Sequence, residues 1–233
     1  MPRLGGTSKP HCVAPSSSSL LIGLPEGTPQ IKYTNMGKLG SCFLIVVGVP
    51  STILQDYDTE YPNRGPLLSA NIREGILILK TKAKAPHEIL AHRLAFYLMI
   101  GISNMSLEDE IDGTGTARFT NRTGTFVKQP DASFTPDGRE WPILVVETGL
   151  SEKGSKLAID ARRWLESEGS EPKVAITAYI DQTGPQITFD KWEHESEPQR
   201  VTHSSTLRGD IVEKVIVIRH NGITEVAGDM TIL

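Results

Sequence analysis

Lys128-Gln-Pro-Asp131-Ala-Ser-Phe-Thr-Pro136, followed by Trp141-Pro-Ile-Leu-Val-Val-Glu147-Thr-Gly149, places two acids sixteen positions apart, each at the edge of an apolar run. The run ending in Glu147 is aliphatic and β-branched, the composition of a strand covered on both faces. Residues 125–134 form a second strand candidate. Paired as an antiparallel hairpin, the two strands bring Asp131 and Glu147 together at one edge of a sheet. Two anionic oxygens plus water suit a hard cation, Mg²⁺ or Mn²⁺, which would activate water and stabilise the leaving oxygen of a phosphodiester. The ordinary structural alternative is a Pro-Asp turn and a solvated strand-terminal Glu.

On the N-terminal side, Leu90, Leu94, Tyr97, Leu98 and Gly101 recur at helical spacing, with Pro86 in the favoured first turn. On the C-terminal side, Leu157, Ala161, Trp164 and Leu165 mark a second helix over 153–167, which Gly169 stops. Strand signals at 116–119, 173–180 and 186–192 complete the order helix, three strands, helix, strand, strand. Two further strands precede this block, at 42–49 before Pro50 and at 76–79. After a polar connection at 193–200, Val215-Ile-Val-Ile, Asn221-Gly222 and Ile223-Thr-Glu-Val predict a terminal β-hairpin. The fold class expected is α/β, of mixed α+β character.

With 38% hydrophobic and 22% charged residues, the 233-residue chain has the composition of an ordinary globular protein. Lys plus Arg is 24 against 28 for Asp plus Glu, so bulk charge gives no attraction for nucleic acid and a polyanion needs a local patch. Cys12 and Cys42 stand outside any zinc or disulfide pattern. No apolar run is long enough to span a bilayer and no signal-peptide pattern opens the chain, so an intracellular protein is expected. The patterns at Asn104 and Asn121 are then chance matches to a glycosylation acceptor. Residues 1–40, rich in Pro, Gly and Ser, read as a flexible N-terminal arm, and 41–233 as a single domain.

The quoted stretch, continued through Leu157, Asp160-Ala-Arg-Arg-Trp164 and preceded by Pro86-His87-Glu88, resembles the PD-(D/E)xK restriction-endonuclease-like superfamily. It looks most like fungal uncharacterised members and is similar to Uma2-type proteins. The resemblance covers about 86–192 and implies an α-β-β-β-α-β core, here with extra N-terminal strands and a C-terminal hairpin. It implies Asp131 as a metal-binding Asp, Glu147 as the acid of (D/E)xK, and an acid from the first helix, Glu88. It further implies Mg²⁺ or Mn²⁺ as cofactor and DNA or RNA as partner, and leaves a homodimer open.

The pattern's lysine position is Gly149, which has no side chain to orient water. Lys156, which lies i,i+4 to Asp160 on the next helix, is the best replacement, and the alternative is a solvated lysine paired with Asp160. Asp160 is either a third carboxylate of a cation site or a local partner of Lys156 or Arg163. His87 stands beside Glu88, but His87 and His92 are five apart, about 140° around a helix, which refuses the HExxH zinc pattern. Lys128 adds positive charge near Asp131. Lys80, Lys82 and Lys84 either touch a phosphate backbone or form a solvated strand edge. Three functions follow: a metal-dependent nuclease acting on nucleic acid, a catalytically inactive binding module on the same fold, or a small-molecule site with a closed apolar pocket around Trp141 and Trp164.

Overall fold

The computed structural model describes residues 30–32, 43–62, 65–80, 85–150, 154–181, 183–194 and 208–232. They form β1 (Gln30–Lys32), β2 (Phe43–Val47), α1 (Ile53–Glu60), β3 (Leu67–Asn71), β4 (Ile76–Lys80), α2 (Ala85–Asn104), β5 (Ile111–Gly113), β6 (Phe119–Thr120), β7 (Phe126–Lys128), β8 (Ala132–Pro136), β9 (Leu144–Leu150), α3 (Gly154–Glu166), β10 (Val174–Asp181), β11 (Gln186–His194), β12 (Gly209–His220) and β13 (Ile223–Ala227). These elements are three helices and two sheets, a mixed α/β protein.

The second sheet runs β13-β12-β11-β10-β9-β8-β5. Within it, β9 pairs antiparallel with β8 and parallel with β10, the parallel join being made through α3. The aliphatic run of β9 is buried from Leu144 to Thr148 because each face meets a helix. Leu144 and Val146 pack with Leu98 and Ile102 of α2. Val145, one residue out of phase, packs with Ala161 and Trp164 of α3. At the far end the Asn221-Gly222 turn has left-handed φ at both residues, 50° and 82°, as a two-residue hairpin of the right twist requires.

The first sheet runs β1-β2-β4-β3-β7-β6. Ile53 and Tyr57 of α1 cover one face, over Leu44, Val46, Leu77, Leu79 and Val127. The alternate residues face α3: Phe126 meets the Trp164 ring at 6.3 Å and Phe119 meets it at 6.1 Å, both edge-on. So α3 lies between the sheets, and side chains from β4, β7, β9 and α3 converge around it.

The single strand expected over 125–134 is two strands in two sheets. Pro130 has no N–H to give a ladder, so the chain leaves the first sheet at Lys128, passes Gln129-Pro130-Asp131, and enters the second at Ala132. Of the strand expected at 116–119 only Phe119 is in a strand, β6, and β5 lies ahead of it, before Gly115 with its φ of 58°. Helix α2 runs past Gly101 to Asn104, before Ser106 takes a left-handed φ of 59°. Helix α1 and strand β3 had no sequence signal. Within the expected N-terminal arm, Gln30–Lys32 pairs parallel with β2; residues 1–29 and 33–40 lie outside the described residues, as do Lys82 and Lys84.

Asn121 is 4% exposed and its side-chain amide is fully used: Oδ1 accepts from the N–H groups of Thr125 and Phe126, and Nδ2 donates to the Glu168 carbonyl. A glycan has no access to that nitrogen. None of the described helices is long and apolar enough to cross a membrane.

Candidate functional site

Asp131, 3% exposed at the crossing between the sheets, accepts through Oδ2 from both the backbone N–H (2.7 Å) and the hydroxyl (2.9 Å) of Thr148. Lys80, at the end of β4, places its ammonium 3.3 Å from Oδ1. The same ammonium stands 2.9 Å from Nε2 of His87, a buried residue in the first turn of α2. That ring nitrogen also lies 3.2 Å from Asp131 Oδ2 and 2.9 Å from the Thr148 hydroxyl, while Nδ1 stands 3.6 Å from Glu88 Oε1. Glu88 itself is exposed. Lys80, His87, Glu88 and Asp131 share a polar cleft of about 520 Å³, lined also by Arg118, Tyr57 and Gln129.

Glu147 turns the other way. Its Oε1 accepts from Trp164 Nε1 at 2.6 Å and from the Lys128 ammonium at 2.9 Å, under α3. Lys128 also bonds Asp160 Oδ1 at 3.0 Å and lies 5.1 Å from the centre of the Trp164 ring. Asp160 in turn takes Lys156 on Oδ2 and Arg163 at 3.8 Å. Lys128, Glu147, Lys156, Asp160 and Arg163 are all at most 9% exposed. The sequence pattern puts Asp131 and Glu147 opposite each other in a hairpin, but the paired register reaches only Ala132 facing Val146, and Asp131 stands just outside β8. The alternation along β9 nevertheless sends Thr148, with Asp131, toward α2 and Glu147 toward α3.

Burial alone would raise the Asp131 carboxyl, but Lys80, His87 and the Thr148 N–H outweigh it and hold the acid well below the usual carboxylate range. Asp160 is lowered in the same way, burial being outweighed by Lys128, Lys156 and Arg163. For Glu147 burial wins over Lys128, with repulsion from Asp160 and Asp131 added, and its affinity for a proton is raised. The signs oppose. The two aspartates stabilise the fold above the unfolded-chain value near 3.8 and lose that contribution as pH falls below it. Glu147 destabilises at neutral pH and is relieved as it takes up a proton on mild acidification. Urea midpoints should therefore rank pH 5 above pH 7 and pH 7 above pH 3; a midpoint that only falls from pH 7 to pH 5 would contradict this assignment.

Gly149 is empty of side chain because the site is closed. A Cβ there would lie 2.9 Å from Leu157 Cδ1 and 3.2 Å from its Cγ, so α3 packs where the pattern's lysine would leave β9. Gly149→Lys should cost about 1–3 kcal/mol through overpacking, read as a lower urea midpoint; unchanged stability would show that the helix yields. Lys156 is buried in the Asp160 pair instead of solvated. Asp160 takes the local role, bound to three cations. Lys80 is turned inward to Asp131 instead of lining a solvated edge. Thr148 and Trp164 are site residues that sequence reasoning missed as such; Thr148 follows directly from the period-2 alternation beside Glu147.

The donor set does not fit a divalent ion as it is folded. Ammonium and N–H or O–H donors face both oxygens of Asp131 and Oε1 of Glu147, and no group of three His, Cys, Asp or Glu among the described residues is placed to hold a metal. Where the small-molecule reading expects a closed apolar pocket, Trp141 and Trp164 pack edge-on at 6.4 Å in an aromatic core with Phe119. No protein-family model and no curated protein matches this chain.

Proposed function

We propose that the chain is a restriction-endonuclease-like protein that binds nucleic acid as a module and does not cut it by a metal-dependent route. The order α2, β5, β8, β9, α3, β10, antiparallel up to β9 and parallel to β10, supports the nuclease-like core. One observation carries the loss of metal chemistry: each acid of the Asp131 and Glu147 pair already has a lysine ammonium, and Leu157 fills the place of the missing lysine. The cleft that remains holds Gln129, Lys80 paired with Asp131, and Arg118 paired with Asp58, and a phosphate backbone would have to draw on those two cations.

Fluorescence anisotropy with short DNA and RNA at low salt should show binding that weakens steeply with salt and weakens further in Lys80→Gln. The same substrates incubated with Mg²⁺ or Mn²⁺ should stay intact. Absence of binding would overturn the module; cleavage by wild type that Asp131→Asn abolishes would overturn it in favour of the nuclease. That second reading rests on Asp131, His87, Glu88 and Lys80 lining one cleft, which unites the pattern's first acid with a helix acid and a lysine.

A further inference from the structure

Helix α2 is apolar on both of its sides. From Ile89 to Leu107 the chain holds one Arg, Arg93, and no Lys, Asp or Glu. The inner face is accounted for: Leu98 and Ile102 are buried against Phe134, Leu144 and Val146, and Leu90 and Ala91 are buried with them. The outer face is open. Ile89, Phe96, Tyr97, Met99, Ile100 and, just past the helix end, Met105 are between 37% and 62% exposed. A surface helix carries its charged and polar residues on the solvent side, whereas one that is apolar all round belongs in an interior. The open parts of these six residues add to about three whole side chains, or roughly 600 Å² at ~200 Å² each. That equals the largest apolar patch a monomer ordinarily leaves in water, and supplies most of the ~800 Å² that each partner gives to a stable interface.

The pattern on this face says what covers it. Ile89, Arg93, Phe96, Ile100 and Ser103, all exposed, follow one another at steps of four, three, four and three, the 3.5-residue seam along which one helix packs on another. At mid-seam Phe96 and Tyr97 form an edge-on ring pair at 5.6 Å. Tyr97, Gly101 and Met105 also border an apolar cavity of about 360 Å³ shared with Met230 and Ile232, so the apolar surface continues off the helix. A helix lying on a lipid surface has a face rich in Lys and Arg, and a partner selected by charge needs charges opposite it; this seam has Arg93 alone. Homodimer interfaces are the more apolar class, and a two-fold axis sets one patch against itself, so a second α2 brings the same repeat to the seam. We infer that the outer face of α2 is the interface of a two-fold homodimer, in which the α2 helices of two copies pack along each other through Ile89, Phe96, Tyr97 and Ile100. The inference does not rest on the nucleic-acid reading: the cleft meets α2 at His87, Glu88 and Ala91, none of which is in the seam.

The test is sedimentation equilibrium of the full chain, joined to oxidative footprinting of Phe96, Tyr97, Met99 and Met105. Wild type should be dimeric at about 10 μM, the weak end for an interface of this area, and the four side chains should lose reactivity as the dimer forms. Phe96→Glu and Ile100→Glu each place a charge at an exposed position of the seam. Both should fold with the circular dichroism of wild type and raise the dissociation constant about thirtyfold or more. Ile223→Glu, at an equally open apolar position on the edge strand β13, should leave the constant unchanged. A dimer that survives both seam variants, or that dissociates in Ile223→Glu instead, uses another face and overturns the inference. So does a wild type still monomeric at about 100 μM, whether footprinting finds α2 open or covered by a segment of its own chain. A monomer that binds DNA overturns the dimer alone, and a dimer that binds no DNA overturns only the nucleic-acid reading.

Discussion

Lys128→Met should lower the unfolding free energy by about 3–5 kcal/mol, because it deletes the cation of a buried ion pair and leaves the acids in place. The ammonium is the shared partner of Glu147 at 2.9 Å and Asp160 at 3.0 Å, and both acids are buried. Methionine keeps the unbranched stem and the contact with the Trp164 ring, so the loss isolates charge from packing. Removing an acid with it should recover part of the cost: Lys128→Met with Glu147→Gln should be more stable than Lys128→Met alone, since the amide oxygen still accepts from Trp164. Urea unfolding at pH 7 measures both. A cost below about 1 kcal/mol, the range of an exposed ion pair, would mean that Lys128 is solvated and the cluster is not closed.

Trp164→Ala should be of similar size, about 3–5 kcal/mol for the deleted side chain alone, with the added loss of the indole N–H that Glu147 accepts at 2.6 Å. Trp164 is fully buried and is the point where both sheets meet α3, with Phe119, Phe126, Trp141, Val145 and Trp192 around it. Trp164→Phe separates the two contributions: it fills most of the aromatic space and removes the hydrogen bond, so it should fall between wild type and alanine. If phenylalanine and alanine destabilise equally in urea, the hydrogen bond and not the packing fixes this junction. If neither destabilises, α3 is not the element that joins the sheets.

Much of this architecture is legible in the chain itself. The aliphatic run before Glu147 reads as a doubly covered strand because both of its faces are apolar, and the Leu157, Ala161, Trp164, Leu165 stripe gives α3 directly. The approach of Asp131 to the strand of Glu147 follows from a hairpin. What is not legible is which sheet each charge joins. Lys80 and Lys128 sit on strands whose alternation puts them on one face, but periodicity does not say whether that face meets water or a second layer. Their acids are distant in sequence, 51 positions from Lys80 to Asp131 and 32 from Lys128 to Asp160. The transfer of the chain from one sheet to the other at Pro130 is what brings those lysines inward, and a Pro-Asp dipeptide alone reads as a turn. The same crossing hides the outcome at Gly149, where a missing side chain records the approach of Leu157.

The central claim is that lysines, and not a divalent ion, neutralise the two acids. Titration of Mg²⁺ and Mn²⁺ into wild type and Asp131→Asn, followed by melting temperature, tests it most directly. Without a bound ion there is no mass-action stabilisation, so millimolar Mg²⁺ or Mn²⁺ should leave the two proteins with the same small shift. Asp131→Asn should melt lower than wild type without metal, since it gives up the charge paired with Lys80. A metal-dependent rise in wild type that disappears in Asp131→Asn would place a cation between the acids and contradict the account.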